Sequence, residues 1–164
     1  MLIGIMADSH DNLPKIEQAV RFFNQREVEV VLHAGDFIAP FVVNKLKDLS
    51  CNLVGVFGNN DGEKEGLRKE INEIGEIHPS PFPFTWLGKK FLLVHDFQDL
   101  AEKKLNIASF DVVIYGHTHE AKISKEGQSL LINPGECGGW LTGKSTVALL
   151  DLKTMKAWLK ELTS

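Results

Sequence analysis

The feature that most restricts this chain is a repeated pairing: a short apolar run, then a polar cluster directly after it. Leu2 to Ala7 runs into Asp8-Ser9-His10, Val28 to Leu32 into His33-Ala34-Gly35-Asp36, and Leu53 to Phe57 into Gly58-Asn59-Asn60-Asp61. Phe91 to His95 ends on His95-Asp96, and Val112 to Tyr115 runs into Gly116-His117-Thr118-His119. Runs of this length bounded by turn residues read as buried strands. Helical patterns separate the first three. Asn12-Leu13-Pro14 opens a helix, with Asn12 as cap and the proline in the first turn, and Ile16, Ala19, Val20 and Phe23 share a face. Pro40 to Leu49 reads as a second helix and Glu63 to Ile74 as a third.

The second half changes character. Phe84 to Leu87, Phe91 to His95, Val112 to Tyr115, Ala121 to Ser124, Leu130 to Asn133 and Thr146 to Leu152 are β-like, with one helix over Gln98 to Leu105 and a closing strand in Met155 to Leu162. Strand-helix alternation followed by a run of strands predicts an α/β (α+β) chain, a parallel core sheet joined by an antiparallel-rich part. No repeat, low-complexity stretch or linker interrupts residues 1–164, so one domain is expected.

At 164 residues a chain buries enough surface to fold without disulfides. With 43% hydrophobic residues it is too apolar for disorder. The net charge of -4 gives no general attraction to nucleic acid or anionic membrane, so a polyanion would have to be held locally. No opening segment resembles a signal peptide, and no run approaches the roughly 20 apolar residues of a membrane span. Cys51 and Cys137 lack metal-ligand spacing and read as reduced thiols of a cytoplasmic protein.

In an open α/β sheet, loops leaving the carboxyl ends of strands converge. The clusters above lie at such ends and hold Asp, His and Asn, with glycine beside them where the backbone must turn sharply. Taken singly they are weak: Asp-x-His or Gly-Asp alone is more often a solvated turn. Gly-His-Thr-His is stronger, since two imidazoles two residues apart can face one site from one loop.

The ordered set Asp8-x-His10, Gly35-Asp36, Gly58-Asn59-x-Asp61, His95 and Gly116-His117-x-His119 resembles the calcineurin-like metallophosphoesterase superfamily. The short length, the opening strand and the Asn133-Pro134-Gly135 loop resemble its small bacterial and archaeal phosphodiesterase branch. The resemblance implies a four-layer αββα sandwich, with two facing mixed sheets flanked by helices and two divalent metal ions at one edge. It implies that Asp8, His10 and His119 hold one metal, that Asn59, His95 and His117 hold the other, and that Asp36 bridges them. Mixed imidazole and oxygen donors suit Mn, Fe, Co, Ni or Zn better than Mg or Ca. Two divalent cations against two aspartates leave residual positive charge for a phosphodiester and for a metal-bound hydroxide that attacks phosphorus without a covalent enzyme intermediate. Asp36, Asn59, Asp61 and His117 are the residues expected to bear on catalysis.

Two positions depart from commoner family patterns. Asn60 stands where many relatives carry a histidine thought to protonate the leaving oxygen, and an amide cannot do this in the usual way. His95-Asp96-Phe97 replaces a common His-Gly-His run, which removes a second imidazole. Asp61 is expected to orient a ligating histidine or to cap the helix after it. His33 reads as a satisfied, half-buried histidine, His78 as non-catalytic, and Ser9, Asp96 and Lys144 as solvated loop residues with site lining as the alternative. Arg21, Arg26 and Arg68 are the only arginines and none lies in a motif. Lack of a bidentate clamp for a doubly charged phosphate favours a small phosphodiester as substrate.

Competing readings are a phosphomonoesterase or nuclease, and a non-catalytic protein-binding scaffold of the same fold. A long nucleic acid ranks below small molecules because no Lys/Arg run provides a track. Phe82, Phe84 and Trp86 have core packing as their default, with an apolar patch for a homo-oligomer as the alternative.

Overall fold

Period-two alternation sorts strand side chains between two faces, and that sorting builds the layers. A computed structural model describes residues 1–163. Ser164, the last residue of the expected 1–164 domain, lies outside the described residues. The elements run β1 (Leu2–Met6), α1 (Leu13–Gln25), β2 (Val30–His33), a 3-10 turn (Pro40–Val42), α2 (Val43–Leu46), β3 (Asn52–Val56), α3 (Lys64–Ile71), β4 (Gly75–His78), β5 (Phe82–Trp86), β6 (Lys89–Val94), α4 (Asp99–Lys103), a second 3-10 turn (Ile107–Ser109), β7 (Val112–Tyr115), β8 (Lys122–Glu126), β9 (Ser129–Asn133), β10 (Thr146–Asp151) and β11 (Lys156–Glu161).

One sheet has the order β11-β10-β1-β2-β3-β4 and the other β5-β6-β7-β9-β8. Strands β1 to β4 are parallel, as are β6, β7 and β9. Strands β10, β11, β5 and β8 join antiparallel. These are the two mixed sheets that the resemblance implies.

Three apolar layers separate four structural ones. In β6, Phe91 and Leu93 face the first sheet, where they meet Ile3, Ile5 and Leu32; Leu92 and Val94 face outward to Leu100 and Ile107. In β7, Val112 and Ile114 point inward, Val113 and Tyr115 outward. On the far side, Ile16, Ala19, Val20 and Phe23 of α1 pack on the outer face of the first sheet with Met6 and Val31, as their helical spacing predicts. Each buried Val, Leu, Ile, Phe or Met side chain among these contributes roughly 1.5–3 kcal/mol by leaving water. The Asn12 side chain accepts from Lys15 N at 3.4 Å, so the expected cap of α1 is present but long. The closing strand expected at the C-terminus is β11.

Several boundaries differ from expectation. The helix expected over Pro40 to Leu49 is a 3-10 turn plus the four residues of α2, since only Val42, Val43 and Leu46 are buried there. The helix expected over Gln98 to Leu105 is the five residues of α4, stopped by Lys104 in a left-handed conformation. The third helix ends at Ile71, and Gly75–His78 forms the edge strand β4, which holds one buried residue and so shows no period-two signal. Phe82, Phe84 and Trp86 pack partly buried against the inter-sheet layer and line a groove there. Among the described residues no helix is long and apolar enough to cross a membrane.

Candidate metal centre

Every cluster singled out in the sequence follows a parallel strand, and parallel strands in the two sheets deliver their loops to one edge. Asp8 and His10 follow β1, Asp36 follows β2, Asn59 and Asp61 follow β3, His95 follows β6, and His117 and His119 follow β7. Asp8, His10 and His119 place ligand atoms within 4.8 Å of one another, and so do Asp8, Asp36 and His95. His10 Nε2 lies 3.2 Å from Asp36 Oδ2 and 3.8 Å from Asp8 Oδ1. His119 Nε2 lies 3.7 Å from Asp8 Oδ1, and His95 Nε2 lies 3.6 Å from Asp36 Oδ2. Asn59 Oδ1 sits 2.8 Å from His95 Nε2 and 3.3 Å from His117 Nδ1.

The backbone is bent to achieve this. Asp8, His10, Asp36, His117 and His119 all have positive φ, between 42° and 70°. For residues with a Cβ that region is sparsely populated and costs of order 1–3 kcal/mol each. Two glycines allow the close approach of the loops. A Cβ on Gly58 would collide with the Asp36 carboxylate and backbone nitrogen, and one on Gly35 would stand 2.7 Å from His95 Nδ1.

The histidines are held from behind. His95 Nδ1 lies 2.8 Å from the Ala34 carbonyl, which can only accept, so Nδ1 carries the proton and Nε2 faces the centre with its lone pair. His119 Nδ1 lies 2.6 Å from Glu136 Oε2, which likewise turns Nε2 inward. His117 Nε2 lies 3.3 Å from Asp96 Oδ2, leaving Nδ1 to face Asn59 and His95. Such partners fix ring orientation and raise basicity. Glu136 was missed in the sequence, although it follows the run Leu130 to Asn133 as the other clusters follow theirs. It is buried, and its other oxygen accepts from Leu141 N, Thr142 N and Thr142 Oγ1. Burial works against its charge, but the Thr142 donors and His119 hold its carboxyl below the usual range.

Asp61 does neither job expected of it. Its carboxylate accepts from Asp36 N at 2.9 Å, Gly58 N at 2.7 Å and Ile38 N at 2.7 Å, so it ties the β2 and β3 loops together by their backbones. It orients no histidine, and the cap position of α3 is Glu63. Asn60 closes on Asp36, its backbone nitrogen donating to Oδ1 at 3.0 Å and its amide to Oδ2 at 2.9 Å. His33 is fully buried rather than half-buried. It accepts from Gly35 N at 3.1 Å through Nδ1, and Nε2 lies 3.0 Å from Ser9 Oγ. Burial pushes its pKa down to about 3. Ser9 is therefore a buried support, not a solvated loop residue. His78 pairs with Glu76 away from the centre, and Lys144 stays exposed.

The donor set fits divalent cations. Asp8 Oδ1 and His10 Nε2 are buried without a hydrogen-bond partner, although the imidazole stands 3.2 Å from Asp36 Oδ2. Asn59 Oδ1, His95 Nε2 and His117 Nδ1 crowd together although two of them present lone pairs and no proton between them. The contact with Asp36, helped by Asp8, raises His10 to about 10, so the two carboxylates retain a proton when nothing more positive is present. Against the burial penalty, His10, His95 and Asn60 hold the Asp36 carboxyl well below the usual range. Electrostatics and unmet valences both call for positive charge here.

Beside Asn59 and His95 opens a cavity of about 300 Å³. Arg68, set aside in the sequence for lying outside any motif, lines it together with Lys64 and Asp96. The chain thus has an arginine beside the centre, brought to the cavity by α3.

Residues 1–155 match the model of the calcineurin-like phosphoesterase superfamily domain. The chain is 42% identical over 154 residues to phosphodiesterase MJ0936 of Methanocaldococcus jannaschii, covering 92% of this chain and 93% of that protein. A solved structure described as a novel archaeal phosphodiesterase superposes with a TM-score of 0.90 at 40% identity, covering 99% of this chain and all of that one (100%). Wild-type Vps29 of Entamoeba histolytica, solved with zinc, shares the fold at a TM-score of 0.67 and 19% identity, over 98% of this chain and 91% of that one. With the family model spanning nearly its whole length and its strand-end clusters meeting at one sheet edge, the chain belongs to the calcineurin-like phosphoesterase superfamily.

Proposed function

We propose that the chain is a cytoplasmic hydrolase of small phosphodiesters, one domain over residues 1–164, that works with two divalent ions of the Mn, Fe, Co, Ni and Zn group. Asp8, His10 and His119 would hold one ion, Asn59, His95 and His117 the other, and Asp36 would face both with its two oxygens. The observation that carries this is the convergence on one space of two buried ligand atoms that make no hydrogen bond, Asp8 Oδ1 and His10 Nε2, with the Asn59, His95 and His117 donors. Bound there, such ions supply positive charge for a phosphoryl group and make water acidic enough to serve as a nucleophile near neutral pH.

The protein's own side chains set geometry and protonation. Glu136, the Ala34 carbonyl and Asp96 keep His119, His95 and His117 turned inward. Asp61 clamps the loops that carry Asp36 and Asn59. Asn60 is occupied with Asp36 and holds no labile proton, so the leaving alkoxide finds no acid there. Esters of acidic alcohols and phenols should therefore be cut faster than those of simple alkanols. The relatives named phosphodiesterase support the diester reading.

The deciding experiment is elemental analysis of the purified protein followed by a panel of diesters and monoesters, each run with several divalent metals after chelation. Diester turnover restored by manganese is expected. Preference for monoesters, or cleavage of polynucleotide alone, would replace the substrate assignment. Protein that takes up no metal and stays inert would make the chain a scaffold of this fold.

A further inference from the structure

The cavity next to Asn59 and His95 carries two cations that the centre does not use. Lys64 and Arg68 stand one turn apart on α3, on the same helix face. Both lie over one ring: Lys64 Nζ is 5.7 Å and Arg68 Cζ 5.3 Å from the centroid of Phe57. That cation–π seat holds long side chains in place. Neither is ion-paired to a carboxylate among the described residues. Two carboxylates line the same cavity without pairing with either cation: Asp99 Oδ2 accepts from Ser80 Oγ at 2.7 Å, and Asp96 Oδ2 lies 3.3 Å from His117 Nε2.

Building on the phosphodiesterase reading, we propose that this cavity receives one arm of the ester and that Lys64 and Arg68 select an arm bearing a negative charge of its own, a carboxylate or phosphate group. Guanidinium is the preferred partner of such oxyanions, and an ammonium beside it adds charge without a fixed direction. A volume of about 300 Å³ is at the small end of ligand pockets, which suits a short arm and not a polymer strand. Phe57 is 6% exposed, too covered to stack a nucleobase, so its role is to seat the cations. The protein carries a net charge of -4, and Asp96 and Asp99 balance Lys64 and Arg68 around the cavity, so the selection rests on direct contact of an oxyanion with these two cations and not on long-range attraction.

The test compares two p-nitrophenyl phosphodiesters that differ only in the second arm, n-propyl or 2-carboxyethyl, with manganese-loaded wild type and the K64Q/R68Q double variant. Wild type should prefer the carboxyethyl ester by about tenfold in kcat/KM, the worth of one charge-assisted contact. The preference should shrink in 0.5 M NaCl, where exposed charges are screened. It should fall below about threefold in the double variant, and R68K should retain part of it because charge survives without the fork. Equal rates in wild type, or an undiminished preference in the double variant, would overturn the proposal. Calorimetric binding of 3-phosphonopropionate against propylphosphonate reads the same selection without turnover. If neither ester is cut, the phosphodiesterase reading fails, while tighter binding of 3-phosphonopropionate that is lost in K64Q/R68Q still upholds the arm site and equal binding still refutes it.

Discussion

Replacing Asp61 with alanine would strand two buried backbone donors and a part-buried third. The carboxylate is 1% exposed and accepts from Asp36 N, Gly58 N and Ile38 N. A buried N–H left without a partner costs about 1–3 kcal/mol, so Asp36 N and Gly58 N would cost about 2–6 kcal/mol together, and the part-buried Ile38 N less than either. Water entering the vacated space recovers part of this, which leaves about 2–5 kcal/mol as the expected loss. Asparagine is a sharper probe. Its single oxygen can keep the two donors that share Oδ2, Asp36 N and Gly58 N, while its NH2 group then confronts Ile38 N. One bond is lost, so D61N should cost about 1–3 kcal/mol and rank clearly between wild type and D61A. Urea unfolding of chelator-treated protein, followed by circular dichroism with the m-values compared, measures both. Because the same bonds hold the loops of Asp36 and Asn59, manganese affinity should fall in the same order. Two variants both within about 0.5 kcal/mol of wild type, the range of an ordinary surface change, would refute the clamp.

Glu136→Gln removes the charge behind His119 while preserving shape, and manganese affinity by calorimetric titration should drop about 10–100-fold; an unchanged affinity would show that His119 needs no support. Gly58→Ala drives a methyl group into the Asp36 carboxylate, and should cost about 1–3 kcal/mol or more in urea unfolding together with loss of metal uptake. His33 has its pKa depressed to about 3 in the folded protein against 6.5 for the free side chain, so its stabilisation is complete above pH 6.5 and is lost as pH falls toward 3. Between pH 6.5 and 5 this one group should withdraw about 2 kcal/mol, and His33→Gln should flatten the stability curve of metal-free protein by that amount; parallel curves would contradict it.

The layers were legible because they follow from alternation. Phe91 to Val94 and Val112 to Tyr115 are uninterrupted apolar runs, and a run apolar on both faces belongs in a sheet covered on both sides. The clusters were legible because chemistry concentrates where such strands end. What escaped had no periodic trace. Strand β4 has Ile77 as its one buried residue, so pairing with β3, not pattern, makes it a strand. Asp61 could be placed in a motif, but its partners are backbone atoms, and no side-chain pattern announces a carboxylate that bonds only to N–H groups. Arg68 lies ten residues beyond Gly58, and its place at the cavity depends on how α3 returns across the loop. Glu136 was within reach: it follows the buried strand β9 just as Asp36 follows β2.

The left-handed backbone at Asp8, His10, Asp36, His117 and His119 bears on how such a chain can drift. Glycine would relax each position, so a search for sturdier variants that ignores activity should find these codons early. The gain at any one would be the strain of about 1–3 kcal/mol less the freedom that glycine adds to the unfolded chain, and the loss of a donor complete. A homologue that traded several of them for glycine would be announcing, before any assay, that it had kept the two packed sheets and given up the work done at their rim.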